Sequence, residues 1–330
     1  MTDRGAPGEF ERIGRLARLL GGESERAIGD DAAILAGDRG PWAWTVDTLV
    51  EGVHFRFDWL DPPDVGHRAL AAAASDLAAM TAEPAGVLVA AAVAAGAADV
   101  LEAVYAGFRD LADRAGCPVL GGDLVRSPGP LVLTITALGR CPAEPLRRSG
   151  ARPGDEVWVT GELGGPAAAL ASLSGGGDPP TRGHPAYRRL ARPEPRVREA
   201  LWLRGRVAPS AGIDISDGLS GDAGHVARAS GVALRLNAAA IPVHPGARDL
   251  AARLGRDALA WALHGGEEFE LLLCASAGAI QPHVPAFEEL FGIPLTRIGR
   301  VDEGDGVWLR DASGAEERLD PLSYDHFRDD

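Results

Sequence analysis

LVLTITALGRCPAEPLRRSGARPGDEVWVTGELGGPAAAL, residues 131–170, decides the fold class. A β-branched strand (Leu131 to Leu138) runs into a Pro/Gly-rich passage (Cys141 to Gly154), after which the pattern restarts. The restart reads as a strand (Glu156 to Thr160), a glycine turn (Gly161 to Gly165) and a helix from Pro166. The same alternation extends in both directions. Upstream, Glu9 to Leu20 reads as a helix, Trp42 to Val46 as a strand and Asp47 to Phe55 as a loop. Gly66 to Met80 then reads as a helix, Val87 to Val93 as a strand, Ala97 to Ala115 as a helix and Val119-Leu120 as a very short strand. Downstream come a helix ending near Arg204, a helix closed by Gly231, and strands at Val232 to Leu236, Phe269 to Cys274, Leu295 to Val301 and Val307 to Arg310. The expectation is an α/β (α+β) fold in two domains, 1–146 and 147–330, since 330 residues exceed one hydrophobic core.

Composition narrows the function. All 33 basic residues are arginine, so chemistry that needs a lysine amine is excluded: Walker A ATPases, conventional protein kinases and Schiff-base enzymes. A net charge of −14 opposes binding to a phosphate backbone or an anionic membrane. Cys117, Cys141 and Cys274 form no C-x-x-C pair, which argues against a disulfide framework or structural zinc and for a reducing cytoplasm. The N-terminal stretch lacks a signal-peptide layout, and the longest apolar run, Ala85 to Ala98, is too short to span a bilayer.

Seven aspartates stand where solubility does not explain them: Asp30 and Asp31 in IGDDAAI, Asp47 after WAWTV, Asp76 in ASDLAAM, Asp123 in VLGGD, and Asp214 and Asp217 in GIDISDGL. Any one of them beside a glycine could be a helix cap or an Asx-turn. Asp76 differs, because Ala, Leu and Met surround it on a helix and a buried carboxylate needs a partner or a metal. Asp47, Asp123 and Asp214 each follow or end a short apolar strand, where ligand sites of α/β sheets gather. Carboxylates 4 Å apart repel by about 4 kcal/mol at an effective dielectric near 20. With no lysine to neutralise them, divalent cations would. An all-oxygen set favours Mg²⁺ or Mn²⁺, which on carboxylates implies phosphate ligands from a substrate. The residues therefore point to a Mg-nucleotide or phosphoryl-transfer site.

Two glycine loops compete between phosphate binding and plain tight turns: Gly121-Gly122-Asp123 and Gly161-Glu-Leu-Gly-Gly165. Arg147 and Arg148 suit phosphate or open solvent. In His264-Gly-Gly-Glu-Glu-Phe-Glu270, alternation leaves Glu268 and Glu270 on one face, with Glu267 nearest the loop.

Eight segments resemble the thiamine-monophosphate kinase family, within the aminoimidazole ribonucleotide synthetase superfamily. They are IGDDAA (28–33), VDTLVEGVHF (46–55), ASDLAAM (74–80), GGD (121–123), RSGARPGDEVWVTGELG (148–164), DISDGL (214–219), HGGEEFEL (264–271) and YDHF (324–327). The resemblance implies transfer of the γ-phosphoryl group of ATP to thiamine monophosphate. It also implies a homodimer whose N-terminal sheets join into a barrel, each beside an α/β domain. Residue by residue, it implies Mg²⁺ ligands at Asp30, Thr45, Val46, Asp47, Asp76, Asp123, Asp214 and Asp217. Val46 replaces a common threonine, so it would ligate through its carbonyl. ATP would meet Tyr105, Gly121, Gly122, Arg148 and Ser216, and the thiamine phosphate His54, Glu267 and Tyr324. Glu268 and Phe269 replace the commoner Asp-Tyr. The alternatives are another ATP-using enzyme of the superfamily, of the purine-synthesis ligase type, or a non-catalytic nucleotide-binding subunit.

Overall fold

The computed structural model describes residues 30–320 apart from 36, 38–39, 95–98, 142–143 and 176–179. The helix expected at Glu9 to Leu20 and the candidate Tyr324 lie outside the described residues.

The N-terminal unit is built on a five-stranded sheet of β1 (Ala33–Leu35), β2 (Trp42–Val50), β3 (Glu83–Val93), β4 (Val119–Arg126) and β5 (Val132–Arg140). The order is β1-β2-β5-β3-β4, and only β3 and β4 run parallel. Alternation decides the faces. Ala43, Thr45 and Leu49 of β2 point inward, while Trp44, Val46 and Thr48 point out. Two helices, α1 (Pro62–Ala79) and α2 (Val100–Ala115), complete this unit. They cross closely because both contacts are glycine: a Cβ on Gly66 would stand 1.9 Å from the Val104 carbonyl oxygen, and one on Gly107 1.8 Å from that of Pro63.

The C-terminal unit carries a seven-stranded sheet, order β12-β11-β8-β10-β6-β9-β7. Its strands are β6 (Asp155–Thr160), β7 (Ala211–Ile215), β8 (Ala233–Asn237), β9 (Glu270–Ser276), β10 (Leu295–Asp302), β11 (Gly306–Arg310) and β12 (Glu316–Arg318). Its helices are α3 (Gly165–Ser174), α4 (Pro185–Ala191), α5 (Val197–Arg204), α6 (Leu219–Ser230), α7 (Pro245–Leu254), α8 (Ala258–His264) and α9 (Val284–Phe291). β9 lies between β6 and β7 and is buried along all but its last residue, so it reads as an apolar run instead of an alternation.

Helix α1 joins the two units. Ala69, Leu70, Ala73 and Leu77 enter the core that includes the N-terminal sheet, while Ala74, Ala78 and Ala79 pack with Leu146, Trp158, Leu271 and Leu273. Its alanines are small because it is covered on both sides. It brings Ser75 and Asp76 between the two sheets, where they meet Asp214 of β7 and Thr45 of β2.

Three sequence expectations need correction. The strand placed at Val119-Leu120 continues to Arg126, so Gly121-Gly122-Asp123 lies in a strand and not in a loop. Gly122 is needed for that pairing, since its Cβ would stand 1.8 Å from the Val89 carbonyl oxygen. Likewise β2 runs on to Val50 through the segment read as a loop, which places Asp47 mid-strand. Finally, the helix before Arg204 is two, α4 and α5, separated by Arg192-Pro193-Glu194-Pro195-Arg196.

Candidate active site

Four carboxylates from distant parts of the chain meet where α1 passes between the sheets. Asp31 precedes β1, Asp47 lies on the inward row of β2, Asp76 on α1 and Asp214 near the end of β7. Oxygens of Asp31, Asp76 and Asp214 all lie within 4.8 Å of one another. Two hydroxyls orient them: Thr45 donates to Asp76, and Ser75 donates to Asp214 Oδ2 at 2.6 Å. Asp31 Oδ2 and Asp47 Oδ2 are buried and have no hydrogen-bond partner.

Burial raises the affinity of every member for protons, and mutual repulsion adds to it. Asp214 is pushed up to about 8 by burial and by Asp31. Asp47 reaches about 6 by burial, with Asp31 adding repulsion. Asp76 is raised well above the carboxylate range by burial, then by Asp47 and Asp214. Asp31 is raised by burial but restrained by Arg148, whose guanidinium donates to Asp31 Oδ1 at 2.6 Å.

The neighbouring Asp30 turns the other way. It accepts from the Arg147 side chain at 3.1 Å and from the Arg148 backbone amide at 3.0 Å. Beyond β7, the Ser216-Asp217 turn is held by Asp222, whose Oδ2 accepts both backbone amides at 3.1 Å. Asp217, Asp222 and His225 form the second close group of potential metal ligands among the described residues. Asp222 and His225 escaped the sequence reading. Their one signal was an acid and a histidine spaced down the buried face of the helix after DISDGL.

Several candidates stand apart from these groups. Asp123 is exposed on edge strand β4, opposite Ala90, and accepts from the Leu124 amide. Gly121 and Gly122 lie on the same strand. Tyr105 is on α2, its ring set edge-on to Phe108 at 5.4 Å.

A third cluster surrounds Glu267. Its carboxylate is paired with the buried guanidinium of Arg68 from α1, and its backbone amide donates to the Ser216 carbonyl at 2.7 Å. Glu267 and Phe269 both adopt positive φ, +61° and +51°, a strained backbone for residues with side chains. Buried ion pairs at the start of β9 hold the turn. Glu270 accepts from Arg196 at 2.7 and 2.5 Å, from Arg189 at 2.8 Å and from Thr160 at 2.7 Å. Burial alone would raise the Glu270 carboxyl, but the two arginines hold it below its usual value. Glu268 accepts from the Gly164 amide at the start of α3, and burial pushes it up to about 8. The 161–165 turn therefore spends its amides on the protein itself: Gly161 on Pro294, Leu163 on Pro242 and Gly164 on Glu268. For this turn the structural alternative holds. His54, in the turn after β2, accepts from the Val50 amide through Nδ1 at 3.1 Å.

The donor set of the central cluster suits a hard divalent cation. It offers carboxylate oxygens with no thiol or imidazole among them, two buried oxygens without partners, and repulsion that a cation relieves. Such a centre, next to Arg148, can receive a polyanion such as a nucleotide phosphate.

Known proteins resemble this chain along nearly its whole length. Residues 29–141 match the family model "AIR synthase related protein, N-terminal domain", and residues 152–311 match its C-terminal domain. The thiamine-monophosphate kinase of Salmonella typhimurium is 38% identical over 96% of this chain and 95% of its own. That of Rhodopirellula baltica is 35% identical over 91% and 90%. AaThiL, solved in complex with AMPPCP and TMP, superposes with a TM-score of 0.83 at 29% identity, over 97% of both chains.

Proposed function

The chain belongs to the thiamine-monophosphate kinase family, and from that membership we propose that it phosphorylates thiamine monophosphate to thiamine diphosphate with ATP. The observation that carries the reading is the Asp31–Asp76–Asp214 group, buried at Asp31 and Asp214 and half-buried at Asp76, with the unpartnered oxygen of Asp47 beside it. When ionised, these carboxylates repel one another at close range, and a bound divalent cation would relieve that repulsion.

In this reading Asp47, Asp76 and Asp214 hold Mg²⁺, with Asp31 added by the geometry. The resemblance adds Asp30, Thr45, the Val46 carbonyl, Asp123 and Asp217; of these Asp217 belongs to the second group, and Asp30 and Asp123 lie in neither. Bound Mg²⁺ neutralises phosphate charge and supplies electrophilic stabilisation of the transferring group. The rest falls to the chain. Arg148, Ser216, Gly121, Gly122 and Tyr105 grip ATP, with the Arg148 guanidinium already aimed at the cluster through Asp31. His54, Glu267 and Tyr324 hold the acceptor so that its phosphate oxygen lies in line with the γ-phosphorus. No protein base is needed, because a phosphate monoester with its second pKa near 6 is largely ionised at neutral pH.

A domain division at 146/147 belongs to the same proposal, supported by the gap between the stretches 29–141 and 152–311 that the family models match. A homodimer is part of the same reading. Trp44, Val46 and Leu88 present a 44–61% exposed apolar surface on the outward side of the first sheet, and edge strand β4 adds Leu120 and Leu124. A second copy would cover both the edge and the face. The cytoplasm is the proposed location, and the three cysteines are buried free thiols, as a reducing compartment allows.

The test is ADP formation by the purified protein with Mg·ATP, with and without thiamine monophosphate. ADP release that depends on thiamine monophosphate is expected. Release indifferent to it would overturn the assignment.

A further inference from the structure

Helix α1 carries Ser75 and Asp76, which belong to the carboxylate cluster, and two turns upstream it carries Arg68. Residues 68 and 75 lie on nearly the same face, about 10 Å apart along the axis. Arg68 is 2% exposed. One end of its guanidinium donates to the Leu190 carbonyl at the end of α4, the other to Glu267, and Nε is buried with no partner. A buried guanidinium needs a compensating carboxylate. The one it pairs with is a group whose side chain stays 35% exposed, open enough to meet a ligand. The Glu267 backbone is strained and held to the Ser216 carbonyl at 2.7 Å. The carboxylate is thus fixed from two sides, by the loop after β7 through its amide and by α1 through its side chain.

We propose that Arg68 is the positioning residue of the acceptor site, aligning the Glu267 carboxylate with the metal-binding end of the same helix. This rests on the kinase reading above, in which Glu267 meets thiamine monophosphate. Arg68 is too buried to touch the substrate itself, so it acts through Glu267. A simple staple between the two units would also pair these residues. The distinction is that a staple acts on stability, and on both substrates alike.

A double-mutant cycle on the full chain separates the two. Wild type, Arg68→Ala, Glu267→Gln and the double variant are compared by KM for thiamine monophosphate, KM for ATP and kcat. Each single variant is expected to raise KM for thiamine monophosphate by at least about tenfold while KM for ATP stays within about twofold. The double variant is expected to be no worse than the worse single one, because Arg68 has nothing to position once Glu267 is neutral. Losses that multiply in the double variant, or an equal rise in both KM values, would overturn the proposal. Should Arg68→Ala not fold, judged by loss of Mg·ATP binding in calorimetry, the same cycle with Arg68→Lys decides by the same criteria. A wild type that makes no thiamine diphosphate would refute the kinase reading and the proposal with it. Turnover by the wild type with an additive cycle would refute the proposal alone.

Discussion

Asp214 and Asp47 hold protons more tightly in the fold than in the unfolded chain, and this sets how stability depends on pH. A carboxyl raised from 3.8 to about 8 favours the folded state while it stays protonated, and that advantage is lost as pH rises between those values. Metal-free protein should therefore melt lower at about pH 8.5 than at about pH 5.5, and Mg²⁺ should raise the melting temperature most at the higher pH. Asp214→Asn should flatten the metal-free pH dependence and lower turnover by at least about a hundredfold. Thermal scans with and without Mg²⁺ check the first, and a rate assay the second; an unchanged pH slope would remove Asp214 from the cluster. Arg148→Ala should destabilise the metal-free protein by about 3 kcal/mol, because it strands buried Asp31. Urea unfolding measures that loss, which Mg²⁺ should largely offset. The sequence marked Asp76 through its apolar helical neighbours. Which way Asp30 and Asp31 face was not legible, because it depends on Arg147 and Arg148, 117 residues away from their partners.

At the scale of elements, α1 does the most and tolerates the least. Its crossing with α2 places backbone against backbone at Gly66 and Gly107, so neither helix can yield locally to a methyl group. Gly107→Ala should cost about 1–3 kcal/mol by denaturant unfolding. It should also lower activity in the protein that remains folded, since α1 presents Asp76. Unchanged stability would show that the helices can separate. The Ala, Leu and Met neighbours of Asp76 pointed to packing around that part of α1. β4 was illegible for the opposite reason. Most of Val119–Arg126 is exposed, no alternation of apolar and polar residues marks it, and the Gly-Gly-Asp within it reads as a turn. α7 was hidden by Pro245-Gly246, which suggests a turn but starts a helix: the proline sits in the first turn and His244 caps through its side chain.

For the whole molecule, alternation and the Pro/Gly passage were enough to read two α/β units. The contacts that make a site were not readable from periodicity, because Ser75 with Asp214 and Arg68 with Glu267 join residues 139 and 199 positions apart. The motif resemblance joined Asp76 and Asp214 in one ligand set but gave Ser75 and Arg68 no role. The proposed dimer is tested at this scale: Leu88→Arg, on the outward row of β3, should convert a dimer to a monomer in sedimentation equilibrium. A dimer that persists would move the interface elsewhere. The central claim is that the carboxylate cluster supports direct transfer between two phosphates. The most direct measurement traces ATP labelled in its γ-phosphoryl group, incubated with the protein, Mg²⁺ and thiamine monophosphate. The label should appear in the terminal phosphate of thiamine diphosphate, one for each ADP formed, and not with Asp214→Asn. Label released as inorganic phosphate, or diphosphate formation undiminished in that variant, would contradict it.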